Sequence, residues 1–326
     1  MRLIAFVFTV LFSGLTLAEI PSGLTGTLLV LNKGGNDASF INLATGDIVA
    51  TASTGEGPHE VVVSSDGLWA VGTDYDGGDS LTVFDIKGAS VARTIDLSGY
   101  PRPHGIDFLP GQQEVVVTSE SAGELVVVNI HDGNVLGSIA TNGRGSHMLA
   151  LGGKGDVAYT SNMSSNNVTV INLSRGRMQA AFKVPARPEA ITVNDSGSEV
   201  WVGSNDEGLV SVLNSATGKT IAQLDGFDWP YRILLSKDER VAVIPDMNNN
   251  DLKFIDAQSK QELGKIEFPA SNPQGIIFHP NDKIVFLALA AKNKVAVIDV
   301  DTRKILGEYS TGQSPDGLGY SPLVLP

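Results

Sequence analysis

The sequence predicts an all-β chain folded as a seven-bladed β-propeller of four-stranded blades, closed by pairing of the C-terminal inner strand with the N-terminal blade. Three observations lead there. A short turn ending in Pro, once in Ser, opens an apolar strand at Pro58, Pro103, Ser146, Pro188, Pro230, Pro273 and Pro315, a period of 42 to 45 residues. Each period holds several short β-branched runs and no helical pattern, which is the signature of radial repetition. The two chain ends carry complementary parts of one further unit.

Within a unit the same order recurs. An inner strand follows the turn (Val61 to Val63, Ile191 to Val193), and a polar turn such as Ser65-Asp66-Gly67 leads to a second strand, for example Trp69 to Gly72 or Val200 to Val202. The third strand is the most regular: Leu81 to Ile86, Leu125 to Ile130, Val168 to Leu173, Val210 to Ser215, Leu252 to Ala257 and Val295 to Val300. β-Branched and aromatic runs bounded by Gly, Asp and Asn favour strands over helix. The Asp or Asn near the end of each third strand has an Asx-turn role, accepting backbone donors of the tight turn that follows. An outer strand then returns to the next unit. The N-terminal region offers Thr27 to Asn32, Ala38 to Leu43 and Ile48 to Ala52 but no inner strand, and the C-terminus offers an inner strand, Pro315 to Ser321, with no partners after it. Six whole units and one shared unit give seven blades, and closure removes the open edges that invite aggregation. Residues 19–326 are expected to form a single domain.

Residues 1–18 read as a secretory signal: basic Arg2, an apolar run from Leu3 to Phe12, and small residues ending at Ala18, with cleavage expected near Ala18/Glu19. The apolar run is too short for an ordinary membrane-spanning helix, and no later run of 18 apolar residues exists, so no span is expected in the mature chain. The expected location is periplasmic or secreted. Cysteine is absent, so stability must come from the core rather than from disulfides. The formal charge of −13, without any Lys/Arg run, argues against nucleic acid as a partner. A monomer is expected, with a small molecule, a polymer or an extracytoplasmic protein as partner.

The units Gln113 to Thr118, Ala158-Tyr159-Thr160-Ser161-Asn162 and Val200 to Asn205 resemble those of the YncE-like, YVTN-repeat (surface-layer-type) seven-bladed β-propeller family. The tetrapeptide is degenerate, but the unit around it covers essentially the whole mature chain. The resemblance implies the seven-bladed fold and an extracytoplasmic setting. It implies little chemistry, because the family shares no catalytic motif and related propellers include lactonases, lyases and structural modules.

Residues just after the seven turns converge near the mouth of the central channel: His59, His104, His147, Glu189, Tyr231, Gln274 and Asp316. Three of the five histidines share this repeat position in consecutive units. His59, His104 and His147 with Glu189 are therefore candidate ligands for a divalent transition metal, zinc, iron or manganese. The competing expectation is that these imidazoles are satisfied by backbone groups near the channel. Arg102, Arg144, Tyr231, Arg232, Gln274 and Asp316 are candidate ligand-binding residues, the arginines as paired donors to a carboxylate or phosphate. Polar loops on the same face, among them Asp74 to Asp79 and Asp246 to Asp251, could bind calcium, although no spacing meets the Asp-x-Asp-x-Asp-Gly rule. His131 and His279 are expected on the opposite face. No Gly-x-Ser-x-Gly, His-Glu-x-x-His or phosphate loop occurs. Two functions follow: an exported binding or interaction module using the mouth, or a metal-dependent lactonase, hydrolase or lyase in which Glu189 is ligand or base and Arg187 steadies developing negative charge.

Overall fold

A computed structural model of the chain describes residues 23–152 and 154–326. The expected signal segment, residues 1–18, lies outside the described residues. Seven four-stranded antiparallel sheets are arranged as the repeat requires. Blade 1 is Pro58–Val63, Trp69–Asp74, Ser80–Asp85 and Ser90–Asp96, and blades 2, 3, 4 and 6 repeat it from Pro103, Ser146, Pro188 and Pro273. In blade 5 the inner strand is reduced to Leu234–Leu235, with an isolated bridge from Pro230 to Asp246. Blade 7 joins the ends: Pro315–Ser321 pairs antiparallel with Thr27–Asn32, Thr27 opposite Ser321 and Val30 opposite Leu318, followed by Asp37–Asn42 and Ile48–Ser53.

The seam is held by more than that ladder. Past the last strand, the Leu323 carbonyl accepts from Thr27 Oγ1 and the Leu325 carbonyl from Asn42 Nδ2, each at 2.7 Å. Leu325 is buried with Phe40 and Phe84, whose rings meet edge-to-face across the interface of blades 7 and 1 at 6.1 Å. The sequence reading left residues 322–326 without a role; they are a clasp.

Inter-blade cores are built from second and third strands, as in the cluster where Trp201 of blade 4 packs on Ala242 and Ile244 of blade 5. The third-strand Asp and Asn side chains cap their turns as expected; Asp85 accepts from Gly88 N–H, Asn129 from His131 N–H and Asp299 from Thr302 N–H. Among the described residues no helix is long and apolar enough to cross a membrane.

Two repeated backbone devices place the site. The residue before the turn's end is left-handed in six blades, at Gly57, Arg102, Gly145, Arg187, Asn272 and Ser314. For a non-glycine this costs roughly 1 kcal/mol or more. An Asp or Asn of the preceding blade holds it: the amides of Gly57, Arg102, Arg187, Asn272 and Ser314 donate to Asn36, Asp79, Asn166, Asn250 and Asn293. Then, in every inner strand, the register slips by one residue directly after the turn, for instance between Pro58 and Val61 and between Pro188 and Ile191. Such a bulge sets two residues against one and re-aims their side chains. Both residues after each turn, His59 with Glu60 or Tyr231 with Arg232, are thereby available to the channel end.

Candidate functional site

The bulges free backbone carbonyls, and hydroxyls of neighbouring second strands take them up. Thr118 Oγ1 donates to the His147 carbonyl at 2.7 Å, and Ser161 Oγ to the Glu189 carbonyl at 2.6 Å, each reaching from the preceding blade. Consecutive inner strands lie so close that a Cβ on Gly275 or Gly317 would collide with the carbonyl oxygen of Asp316 or His59. The mouth is therefore narrow, and residues far apart in the chain meet there.

Three groups of side chains fill it. In the first, His104 and His147 are stacked with ring centroids 3.6 Å apart, His59 lies 5.4 Å from His104, and Tyr75 meets the His104 ring edge-on at 4.5 Å. Glu120 accepts from Tyr75 Oη at 2.6 Å and lies 2.7 Å from His147 Nδ1, while Arg102 hydrogen-bonds the same tyrosine and lies over its ring. In the second, Glu189 accepts from Asn205 Nδ2 at 2.6 Å and Trp229 Nε1 at 3.1 Å, and faces Arg232 at 3.4 Å. Arg232 also pairs with Glu60, 172 residues away in the chain. In the third, Asp316 accepts from Tyr231 Oη at 2.9 Å and from Lys33 Nζ at 3.1 Å, and Lys33 also donates to Gln274.

Burial sets the protonation states. It pushes the His59 imidazole down to about 4 against the pull of Asp316, and drives His104 well below the ordinary value, assisted by His147. Burial raises the Glu60 carboxyl, opposed by Arg232. Against the upward push of burial, the hydrogen bond and charge of His147 bring Glu120 to about 2. Asp316 meets the same upward push, yet Lys33 and then His59 and Arg232 hold it below the usual carboxylate value.

The predicted residues thus divide. His59, His104, His147, Glu189, Tyr231, Arg232, Gln274 and Asp316 gather at the mouth and are buried there. Arg102 is half-buried beside Tyr75 and Glu120. Arg187 stands at the rim, over the Trp229 ring and 3.7 Å from Asp206, not against Glu189. The Trp229 ring and Asp206 hold it there, and the guanidinium that faces Glu189 is that of Arg232. Arg144 is exposed and donates to the Ser164 carbonyl. His131 packs on Trp69 and His279 on Tyr320, away from the cluster. Sequence reasoning missed Glu60 and Lys33. Glu60 occupies the second bulge position, where four blades have Gly105, Ala190, Gly275 and Gly317 and two have Met148 and Arg232; opposite charges at two equivalent positions of one ring were a usable signal.

The imidazoles come together as stacked and hydrogen-bonded rings. Two are stacked, Nδ1 of His59 faces the Gly57 carbonyl at 2.8 Å, and Nδ1 of His147 faces Glu120. Among the described residues no group of three or more His, Asp or Glu is disposed to hold a metal ion. The acidic loop residues serve donors of their own loops and strands: Asp246 accepts from the amides of Asp228 and Trp229, and Asp74 from the Ser80 and Thr82 hydroxyls.

What the cluster offers is unspent hydrogen bonding. His104 Nδ1, Asn205 Oδ1, Arg232 Nε and Asp316 Oδ1 are buried without a partner. His147 Nε2 stands 3.8 Å from Glu189 Oε1, too far for a direct bond and suited to a bridging donor.

A family model described as "Lactonase, 7-bladed beta-propeller" matches residues 47–307. Among solved structures, a chain of Kuenenia stuttgartiensis hydrazine synthase superimposes with a TM-score of 0.74 at 17% identity, over 89% of this chain and 99% of that one. A functionally unknown protein from Desulfotomaculum acetoxidans DSM 771 gives a TM-score of 0.76 at 14% identity, over 91% and 99%. At these identities the two structures speak to the fold alone.

Proposed function

The chain belongs to the lactonase, seven-bladed β-propeller family, and on the chemistry of the mouth we propose that it is a binding propeller that holds a small hydroxylated ligand at the histidine-lined mouth of its channel. One observation carries this reading: the unpartnered buried donors and acceptors of His104, Asn205, Arg232 and Asp316 lie in one cluster. A buried polar atom left unpaired costs about 1–3 kcal/mol, so a partner that satisfies several of them gains affinity. In the tautomer whose Nδ1–H donates to Glu120, His147 Nε2 is an acceptor facing a second acceptor, Glu189 Oε1. A ligand hydroxyl between them supplies the donor. The signal-like pattern of residues 1–18 supports an extracytoplasmic setting, and we read the repeat as YVTN-type within the family on the units around Tyr159 and Trp201. We take the described ring to act as a monomer.

The family match favours a second reading, ring opening of a lactone. There His147 Nε2 takes a proton from water as its oxygen adds to the lactone carbonyl, and returns that proton to the ring oxygen as the acyl C–O bond breaks; Glu120 holds the imidazole in orientation, and the Arg232 guanidinium faces the developing oxyanion.

Calorimetric titration with gluconate and glucono-δ-lactone separates the two. Binding without turnover, weakened at least tenfold in His147→Ala with its melting transition intact, supports the first reading. Lactone hydrolysis above the buffer rate, lost in His147→Gln, moves the assignment to the second. Absence of binding and of turnover by either probe overturns both, leaving the cluster as a structural plug.

A further inference from the structure

Beneath the mouth cluster the channel opens into a cavity of about 350 Å³, at the lower end of the range for small-molecule sites. Its inner end is formed by Glu60 and Arg232, already paired with each other, and it continues to Leu151 and Val193 at the far ends of the inner strands. Between these limits most lining side chains are aliphatic, with Ile106, Leu149, Ile191 and Ile277 contributed by four blades, alongside Thr192 and the glycines Gly275 and Gly317. The exception with charge is Asp107.

Asp107 stands where the other inner strands present Val62, Ala150, Thr192, Leu234, Ile277 and Gly319. Its Oδ1 accepts from the Phe108 amide at 2.8 Å, and it takes part in no ion pair among the described residues. It also lines a shallow recess on the opposite face, with Pro110, Gln112 and Lys154. The carboxylate therefore borders both the recess and the apolar channel. Burial pushes it up to about 6, the Phe108 amide opposing. A lone carboxylate in an apolar passage costs free energy unless a cation compensates it, and the aliphatic walls add affinity for an apolar body in proportion to the area covered.

We propose that the channel is a second binding site, entered from the face opposite the mouth, for an organic ammonium ion with an aliphatic body, its N–H groups donating to Asp107 and its chain lying against Ile106, Leu149, Ile191 and Ile277. Arg232 borders both sites, but the groups that contact the ammonium, Asp107, Ile106, Leu149, Ile191 and Ile277, are none of the ligand positions at the mouth, so the two readings are tested separately.

The test is titration of the full chain with hexylammonium, using hexanol as the neutral counterpart. At pH 8 hexylammonium binds at least tenfold tighter than hexanol. Ionised carboxylate is the binding form, so affinity is full by pH 8, about half of that at pH 6, and about tenfold lower at pH 5, where roughly one-tenth remains ionised. Asp107→Asn removes both the preference and the pH dependence while leaving gluconate titration unchanged. Should that variant fail to fold, the wild type still decides: binding at pH 6 releases about half a proton per ammonium, read from the dependence of the heat on buffer ionisation enthalpy. Equal affinity for hexylammonium and hexanol, no binding of either, or binding without proton release at pH 6 overturns the proposal.

Discussion

Replacing Arg232 by Met is the sharpest perturbation of the mouth. The guanidinium is buried between Glu60 and Glu189, which are themselves largely withdrawn from water. Met preserves most of the aliphatic bulk but removes the charge shared by two carboxylates. Breaking a buried pair from one side costs about 3–5 kcal/mol, because the remaining charge is left without compensation. With an unfolding entropy of about 2.1 cal/mol/K per residue over about 300 residues, the melting temperature falls by about 5–8 °C. The deficit must depend on pH. Glu60 is already raised by burial, and without Arg232 its folded-state value rises further, so protonation relieves the variant. The deficit is therefore full above the folded-state value and shrinks as pH falls toward the ordinary glutamate range. Differential scanning calorimetry of the wild type, Arg232→Met and Arg232→Met/Glu60→Gln at pH 8 and pH 5 reads all of this, with the double variant recovering part of the loss at pH 8. An Arg232→Met protein that melts within 1–2 °C of wild type at pH 8, or with the same deficit at both pH values, refutes the buried-pair account.

Other consequences are accessible to simple measurements. Deleting residues 315–326 removes the inner strand of blade 7 and the Leu325 clasp, and should give a chain that retains far-UV signal but loses near-UV signal and binds ANS; a cooperative melt close to wild type would contradict the closure. His59 and His104 bind protons less readily folded than unfolded, so their contribution to stability is full above about pH 6.5 and is lost as pH falls from there toward 4. His104→Gln should flatten the wild-type dependence by up to about 1.4 kcal/mol per pH unit inside that window, measured by urea unfolding at pH 7, 6 and 5; equal slopes would contradict it. The gluconate and hexylammonium titrations test the two ligand sites.

The blade count, the strand order and the shared seventh blade were legible because each is written as a repeated local pattern. The gathering of His59, His104, His147, Glu189 and Asp316 was legible for the same reason, since ring closure turns one repeat position into one neighbourhood. What the residues do to one another there was not. The bulge that brings Glu60 and Arg232 into play is a property of register between two strands, and no single strand announces it. Arg187 and Arg232 look equivalent on paper, each beside a turn proline, but the first precedes its proline in a left-handed conformation and points to the rim, while the second follows it by two residues and is buried. Stacking of His104 on His147 likewise depends on the narrowness of the ring, set by Gly105, Gly275 and Gly317 in the inner strands. Asp107 was visible as a charge in an apolar strand, yet its meaning required the cavity.

Histidine-selective proton–nitrogen spectra recorded during a gluconate titration test the central claim most directly, because the chain carries five imidazoles, three at the mouth and two elsewhere. The resonances of His59, His104 and His147 should move together and saturate with one affinity, while those of His131 and His279 stay in place. Mouth resonances that do not move, or movement confined to His131 and His279, would contradict it.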